Sequence, residues 1–408
     1  MTGKSFFGEL GKGTIVLLIT MNIYNVLNFL FHFAMGRMLG PECYGVLAVL
    51  MSLVYIYTIP AEAIQNLITK LTSNLNAKNK IGEIKYLLKK SLKKSVSISG
   101  ILFLILALIA IPLSIYLRIS FWLIFVTNLL IFVTFSNPVA RGVLQGRKKF
   151  GALGGNMIIE STLKLFFAIS FVLFGFKVFG AMIGAVLGTL ASLIFAIYSN
   201  KDVLHKDEKA TEFKGIYFQS VPYFVTMAVI LLIFSLDILL AKRFFSPEIA
   251  GQYAVLSMLG KIIFFGTAAI NKVMFPLTSE KSDDNKNSLN IFKKSFLIIS
   301  FVCFIVALFY YLLPELIIKI LYGAQYLEMA PYLVYSGIAF SLLSLSNLVL
   351  VYGLSTNNLR YSKFLVIFLV IEIVLLSFFH SNVLEYTLAF MFSNTIMFIF
   401  SFLFVKLR

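Results

Sequence analysis

Charge is what this 408-residue chain has least of: Asp, Glu, Lys and Arg make up 13% of it, against 60% hydrophobic residues. With a mean hydropathy of +0.93, that balance excludes an ordinary water-soluble domain. Cysteine is nearly absent. Cys43 and Cys303 lie in or beside apolar runs without metal-like spacing, so they read as small hydrophobes and leave the redox compartment open. There are three histidines, and His205 and His380 fall near loops, which argues against metal- or histidine-based catalysis. A Gly-rich phosphate loop, HExxH, GxSxG and an acidic cluster placed for a metal are all missing. Neither enzyme chemistry nor a cofactor is expected. The first apolar run is too long for a signal peptide, carries three Asn and has no small-x-small cleavage site.

What the chain has is a succession of apolar runs of about twenty residues, the signature of membrane-spanning helices. The short alternating segments of a barrel are not evident. Twelve spans are expected, at 13–37, 42–67, 95–117, 120–141, 152–174, 178–199, 217–242, 249–276, 292–313, 331–354, 360–379 and 384–405. The formal net charge of +17 would suit nucleic acid, but its distribution argues for a membrane instead. With the N-terminus inside, 26 of the 35 Lys and Arg fall in cytoplasmic segments, 6 at outer ends and 3 within spans. The positive-inside rule then places both termini in the cytoplasm. Ile81, Ile84, Leu88 and Leu92 share one helical face in the lysine-rich stretch 78–95, which predicts an interfacial helix lying on the anionic inner leaflet.

One stretch occurs twice. Arg37–Leu53 reads RMLGPECYGVLAVLMSL, and 206 positions later Arg243–Leu259 reads RFFSPEIAGQYAVLSML, with eight of seventeen residues identical. Chance similarity between apolar segments would not also reproduce Arg, Pro-Glu and Gly at fixed spacing. Ser136-Asn137 recurs as Ser346-Asn347, and Gly142–Phe150 is echoed by Gly353–Tyr361. Six spans per copy is an even number, so the halves enter the membrane in the same direction, as parallel repeats. The expected fold is an all-α polytopic membrane protein of about twelve helices, in two parallel six-helix repeats around a central cleft. The expected division is an N-terminal lobe (1–199), a cytoplasmic linker (200–215) and a C-terminal lobe (216–408).

Polar residues inside spans carry the functional reading. Asn22, Asn25, Asn28 and His32 in span 1 are spaced three or four apart, either for interhelical hydrogen bonds or as a water-lined wall. A lysine at mid-bilayer costs roughly 2.5–3.5 kcal/mol, so its presence needs a reason. Lys164 and Lys261 lie about ten and about twelve residues from the outer ends of spans 5 and 8, or ~15 and ~18 Å in. Lys272 is a weaker candidate nearer the cytoplasm. Glu160 is placed to pair with Lys164 four residues on, and Asp237 with Lys261. Glu372 is near the repeat counterpart of Lys164, at a shift of 208. These groups are either internal ion pairs or a cationic cavity with ion-coupling carboxylates, and the cavity is the preferred reading. Arg37 and Arg243 close the outer ends of spans 1 and 7, as interfacial snorkels or as a gating pair.

The string Arg37–Leu50 resembles the signature of the prokaryotic polysaccharide-biosynthesis flippases, within the multidrug/oligosaccharidyl-lipid/polysaccharide exporter superfamily. Asp237–Ile262 is similar to the matching stretch of that family's second half, and Ile320–Leu333, with Gly323, Tyr326 and Ala330, to its outer-loop entry into span 10. The resemblance implies export of a lipid-linked oligosaccharide from the inner to the outer leaflet of a prokaryotic plasma membrane, by alternating access around a cationic cleft. It implies a lipid-linked glycan and membrane lipids as partners, glycan-assembly enzymes nearby, no nucleic acid and a monomeric protein. Lys164 and Lys261, with Asn side chains, would meet the phosphate and the sugars. The alternative is a cation-coupled exporter of small amphiphiles using Asp237 and Glu372.

Overall fold

The computed structural model describes residues 6–211, 221–280, 285–356 and 364–404, and every regular element among them is a helix. The first, α1 (Phe6–Tyr57), carries span 1 and the first part of span 2, which continues into the next helix, and breaks at Gly40, where φ is 73° and ψ is 172°. Glycine alone takes that backbone cheaply, and Pro41 opens the next segment, where an N–H would have no helical partner. There follow α2 (Ile59–Ala77), α3 (Ile81–Leu117), α4 (Phe121–Gly146), α5 (Phe150–Phe171), a π-helical turn Val172–Phe176, α6 (Lys177–Ser199) and the short α7 (Lys201–Leu204). The second half contains α8 (Val221–Phe244), α9 (Pro247–Glu280), α10 (Asn285–Leu312), α11 (Pro314–Leu321), a 3-10 segment Ala324–Tyr332, α12 (Leu333–Ser355), α13 (Leu365–Phe378) and α14 (Val383–Phe404).

Nine described stretches are long and apolar enough to cross a membrane. Two of them, Ile19–Ala77 and Phe150–Ser199, run to 59 and 50 residues and break internally at Gly40 and Gly175. At about 1.5 Å per residue each is far longer than a ~30 Å hydrocarbon core, so each holds two crossings. With the shorter apolar helix α13, this accounts for twelve spans. Their outward surfaces are apolar: Leu108 is 71% exposed, Ile115 75%, Phe174 77% and Phe378 76%. Only lipid makes such faces acceptable.

The chain forms two compact units: Met1–Met35 with Leu53–Ser220, and Gly36–Ser52 with Val221–Arg408. They follow the sequence halves except that Gly36–Ser52 belongs with the second. In the first unit α4 packs against α2, α3 and α6, and α5 pairs closely with α6. In the second, α12 packs against α9, α10 and α14, and α13 against α8 and α14.

The amphipathic stretch 78–95 does not form an interfacial helix of its own. It is the start of α3, a continuous helix of 37 residues. Ile84, Leu87 and Leu88 are buried against Ile68 of α2, Val139 and Val143 of α4 and Val203 of α7. An apolar stripe fits a protein groove as well as a lipid surface, so periodicity could not tell the two apart. The linker begins by docking on the same helix. Lys85 Nζ donates to the Lys206 carbonyl at 2.6 Å, Lys89 meets Glu208 at 2.9 Å, and the Lys209 N–H donates to the Gly82 carbonyl at 3.2 Å. Residues 212–220, and with them the remainder of the linker, lie outside the described residues.

At this end of the helices Asp202 accepts from Arg147, at 3.0 and 2.5 Å, and from Lys149, at 3.0 Å. The bidentate Arg147 contact, reinforced by Lys149, holds the Asp202 carboxyl well below the usual carboxylate range. A depressed folded-state pKa adds stability above the unfolded value and loses it as pH falls below it. The melting temperature of D202N in detergent should therefore lie below wild type at pH 7, and the gap should close on acidification below about pH 4. An equal gap at both pH values would contradict this.

Candidate functional site

Two polar clusters sit in the helical cores, one in each unit. In the first, Lys164 on α5 donates through Nζ to Asn28 Oδ1 on α1, and Nζ lies 4.6 Å from the centroid of the Phe31 ring. Gly184 and Gly188 of α6 let that helix press onto the backbone of α5: a Cβ on Gly188 would come within 2.7 Å of Lys164 Cα. Small residues at four-residue spacing permit such close packing in membranes, and here they back Lys164 from behind. Asn28 also donates to the Tyr24 carbonyl at 2.8 Å. Among the described residues, no carboxylate lies within ion-pair distance of Lys164.

Glu160, expected to pair with Lys164, is taken by Arg141 of α4 at 2.6 Å. It also accepts from Tyr24 at 3.1 Å, Ser192 at 3.2 Å and Asn137 at 3.3 Å. Arg141 is held in turn by Asn156 Oδ1 at 2.5 Å. The i, i+4 spacing brought the lysine near, but a guanidinium from a neighbouring helix offers the carboxylate a stronger donor. Side-chain exposures of 14% and 13% make this a largely buried pair. Removing one partner of such a pair costs about 3–5 kcal/mol, so R141A should melt well below wild type. A melting curve indistinguishable from wild type would show that the pair is not stabilising.

The Asn ladder of span 1 does not act as a unit. Asn28 meets Lys164, Asn25 is half-buried, and Asn22 is exposed. Two steps of three residues leave Asn22 roughly 120° round the helix from Asn28, so the three cannot share one target. His32 is buried, its ring edge-on to Phe31 at 5.2 Å.

The second cluster lies among α8, α9, α13 and α14. Lys261 and Asp237 are both 0% exposed and meet at 3.5 Å. Lys261 Nζ also lies 4.7 Å from the centroid of the Phe234 ring. Asp237 Oδ2 accepts from the Ser257 hydroxyl and, at 3.4 Å, from Tyr253. Glu372, also 0% exposed, accepts from Ser393 at 3.3 Å. Of the two readings of Lys261, the ion pair with Asp237 is the one present: Lys261 is enclosed in its own unit against this acidic partner and does not line an open cavity, because a buried ammonium is affordable only when paired. Lys272 is exposed on α9, and Arg243 is partly exposed in the last turn of α8.

Arg37 lines an open pocket with Lys319, Tyr322, Gly323, Ala324 and Gln325. It donates to the carbonyls of Lys319 at 3.3 Å, of Ile320, and of Leu321 at 3.2 Å. A cation there caps the C-terminal end of α11. The same corner is fixed by Tyr326, which donates to the Gly36 carbonyl at 2.8 Å, and by the Tyr44 and Tyr322 hydroxyls at 3.2 Å. The two copies of the repeated string meet here: a Cβ on Gly45 would lie 2.7 Å from Gly251 Cα. This docking places Gly36–Ser52 with the second unit.

A model of a polysaccharide biosynthesis protein family matches residues 34–331. The chain belongs to that family. The match opens just before the docked corner and closes at Pro331, so it encloses both partners of the Arg37–α11 contact. No curated protein matches the sequence. Solved structures share the fold at low identity. An inward-facing multidrug resistance MATE family transporter of the MOP superfamily aligns with a TM-score of 0.78 at 15% identity, over 97% of this chain and 98% of that one. An outward-facing structure of such a transporter aligns at 0.65 and 14% identity, over 97% and 95%. A Pyrococcus furiosus MOP superfamily transporter, whose binding pocket is described as of reverse polarity and suggestive of a different function, aligns at 0.67 and 15%, over 97% and 95%.

Arg141, Asn156, Tyr24, Phe31 and Ser192 join the candidate cluster without having been singled out in the sequence. Arg141 ends the apolar run of span 4 and so reads as a charge at the membrane edge, whereas α4 continues to Gly146. A usable signal was present: Asn137 and Arg141 lie four apart, as do Asn156, Glu160 and Lys164, which puts each set on one helical face.

Proposed function

We propose that this protein is a flippase that moves a lipid-linked oligosaccharide, carried on a polyprenyl phosphate or diphosphate, from the inner to the outer leaflet by alternating access. The observation that carries this reading is the uncompensated charge at Lys164. Its ammonium is held by an amide oxygen and an aromatic face, both neutral, while the nearby Glu160 is bound by Arg141. The first cluster, Arg141, Glu160 and Lys164, therefore carries one positive charge in excess. A positive site within hydrocarbon stabilises a phosphate as it leaves water, and Asn28 and Tyr24 beside it supply groups for sugar hydroxyls. Family membership points to the same substrate class. The positive-inside rule applied to the lysine-rich segments supports a topology with both termini in the cytoplasm.

The second reading, a cation-coupled exporter of small amphiphiles, is favoured by the fold shared with multidrug transporters. An excess positive charge disfavours a cationic drug. One experiment separates the readings: proteoliposomes containing a fluorescent polyprenyl-diphosphate-linked saccharide, with flipping followed by a membrane-impermeant quencher. Flipping that depends on the protein supports the flippase. Failure to move this probe, together with efflux of a lipophilic cation, would overturn it.

A further inference from the structure

A second repeat lies near the starts of α3 and α10, the third crossing of each half. Leu92–Gly100 reads LKKSVSISG, and 200 positions later Phe292–Ser300 reads FKKSFLIIS, with Lys-Lys-Ser and the following Ile98 and Ile298 identical. Exposure repeats as well. Ser95 and Ser295 are buried, whereas Lys93, Lys94, Lys293 and Lys294 are exposed. The inner face of each helix is held within its own unit: Ser99 donates to the Ile131 carbonyl of α4 at 3.3 Å, and the Phe292 ring lies 4.6 Å from the Tyr352 ring of α12. The outer face carries an exposed apolar strip in matching register, Ile98, Ile101, Leu104 and Leu108 on α3, and Ile298, Phe301, Phe304 and Leu308 on α10. Steps of three and four keep each strip on the side of its helix that bears Lys94 or Lys294. Lys85 and Lys89, one and two turns before Lys93, are taken up by the linker. Among the described residues no carboxylate lies within ion-pair distance of Lys93, Lys293 or Lys294.

We infer that Lys93-Lys94 and Lys293-Lys294 are matched binding sites for anionic phospholipid, one on each unit. An ammonium one helical turn, or ~6 Å, before the first lipid-facing apolar residue stands at the level of the headgroup phosphates. From Lys94 to Leu108 the strip runs ~21 Å, more than half the ~30 Å thickness of a hydrocarbon core, so an acyl chain below that phosphate is covered along its length. Two adjacent ammonium groups select a net negative headgroup over a zwitterionic one, whose own ammonium they repel. Both sites open onto bulk lipid, where a membrane phospholipid greatly outnumbers any carrier lipid. The positive-inside reading puts this end of both helices in the cytoplasmic leaflet, the anionic one. That rule counts charges and is indifferent to their register. A lipid site is not indifferent: it needs the lysines directly above an exposed apolar strip, and both halves keep that register. The assignment holds whatever the protein transports.

The test is lipid retention by the purified full-length protein, read by native mass spectrometry from detergent micelles holding equimolar phosphatidylglycerol and phosphatidylcholine. Wild type should keep phosphatidylglycerol in preference to phosphatidylcholine. A lysine near an anionic surface is worth about fivefold in binding, so K93Q/K94Q and K293Q/K294Q should each weaken one site about 25-fold, and the quadruple Gln variant both. All four side chains are exposed, so the variants should fold. The quadruple Arg variant, which keeps the charge, should retain phosphatidylglycerol as wild type does. Equal retention of the two lipids by wild type, or undiminished phosphatidylglycerol on the quadruple Gln variant, would overturn the proposal. So would loss of the lipid from the Arg variant. Displacement of phosphatidylglycerol by an equimolar polyprenyl phosphate would assign the sites to the carrier lipid and overturn it as well.

Discussion

Lys164→Gln should slow flipping of a polyprenyl-diphosphate-linked saccharide by about 10- to 150-fold while leaving the protein as stable as wild type. The rate estimate follows from the loss of one charge-assisted hydrogen bond to phosphate, worth about 1.5–3 kcal/mol, at about 1.4 kcal/mol per decade. The stability estimate follows from the surroundings. Nζ meets Asn28 Oδ1 and the Phe31 ring, both neutral, so a neutral amide of similar length leaves no charge stranded. Lys261→Gln is the counterpart that fails differently. It leaves Asp237, 0% exposed, without its cation, and breaking a fully buried pair costs about 3–5 kcal/mol. The proteoliposome assay and a melting curve, run on both variants, separate the roles. A Lys164→Gln protein that flips at the wild-type rate would remove the cationic site from the mechanism. One that melts as low as Lys261→Gln would make Lys164 structural.

The second large effect is expected where the two copies of the repeated string touch. Gly251→Ala should destabilise the protein by about 1–3 kcal/mol or more, and Gly45→Ala by less. A Cβ on Gly251 would strike the carbonyl oxygen of Pro41, a backbone atom that cannot rotate away. On Gly45 it would stand 2.7 Å from Gly251 Cα and 2.9 Å from Gly251 N, tight but closer to tolerable. Relief requires Gly36–Ser52 to lift from its seat, and with it the Arg37 cap on α11 and the Tyr326 bond to Gly36. Thermal melting of the two variants in detergent should therefore rank Gly251→Ala below Gly45→Ala and both below wild type. Wild-type melting of Gly251→Ala would mean that this contact opens at no cost.

Much of the fold could be read directly because the bilayer imposes it. Backbone polar groups in hydrocarbon must be satisfied within a segment, so each long apolar run had to be a helix. The turn at Gly40-Pro41 follows from the local chemistry of those two residues. The stretch 78–95 was misread for a related reason: its stripe specified a helix with one apolar face, but Val139, Val143 and Val203, which cover that face, come from distant parts of the chain. Residues 357–361 of the echo of Gly142–Phe150 at Gly353–Tyr361 lie outside the described residues.

The site divides in the same way. Sequence alone singled out the charged residues within spans, because each is expensive there, and it paired the repeat positions of Lys164 and Glu372. It could not choose every partner. Asp237 pairs with Lys261 as its placement suggests, but Glu160 had Lys164 one turn away and went to Arg141 on another helix. Arg37, which read as an interfacial snorkel or as one of a structural or gating pair, caps a helix. Sequence fixes which segments must cross the membrane and which charges must be answered there, since both follow from transfer out of water. Which group answers each charge depends on side-chain geometry within a few ångströms, and only the packed helices decide that.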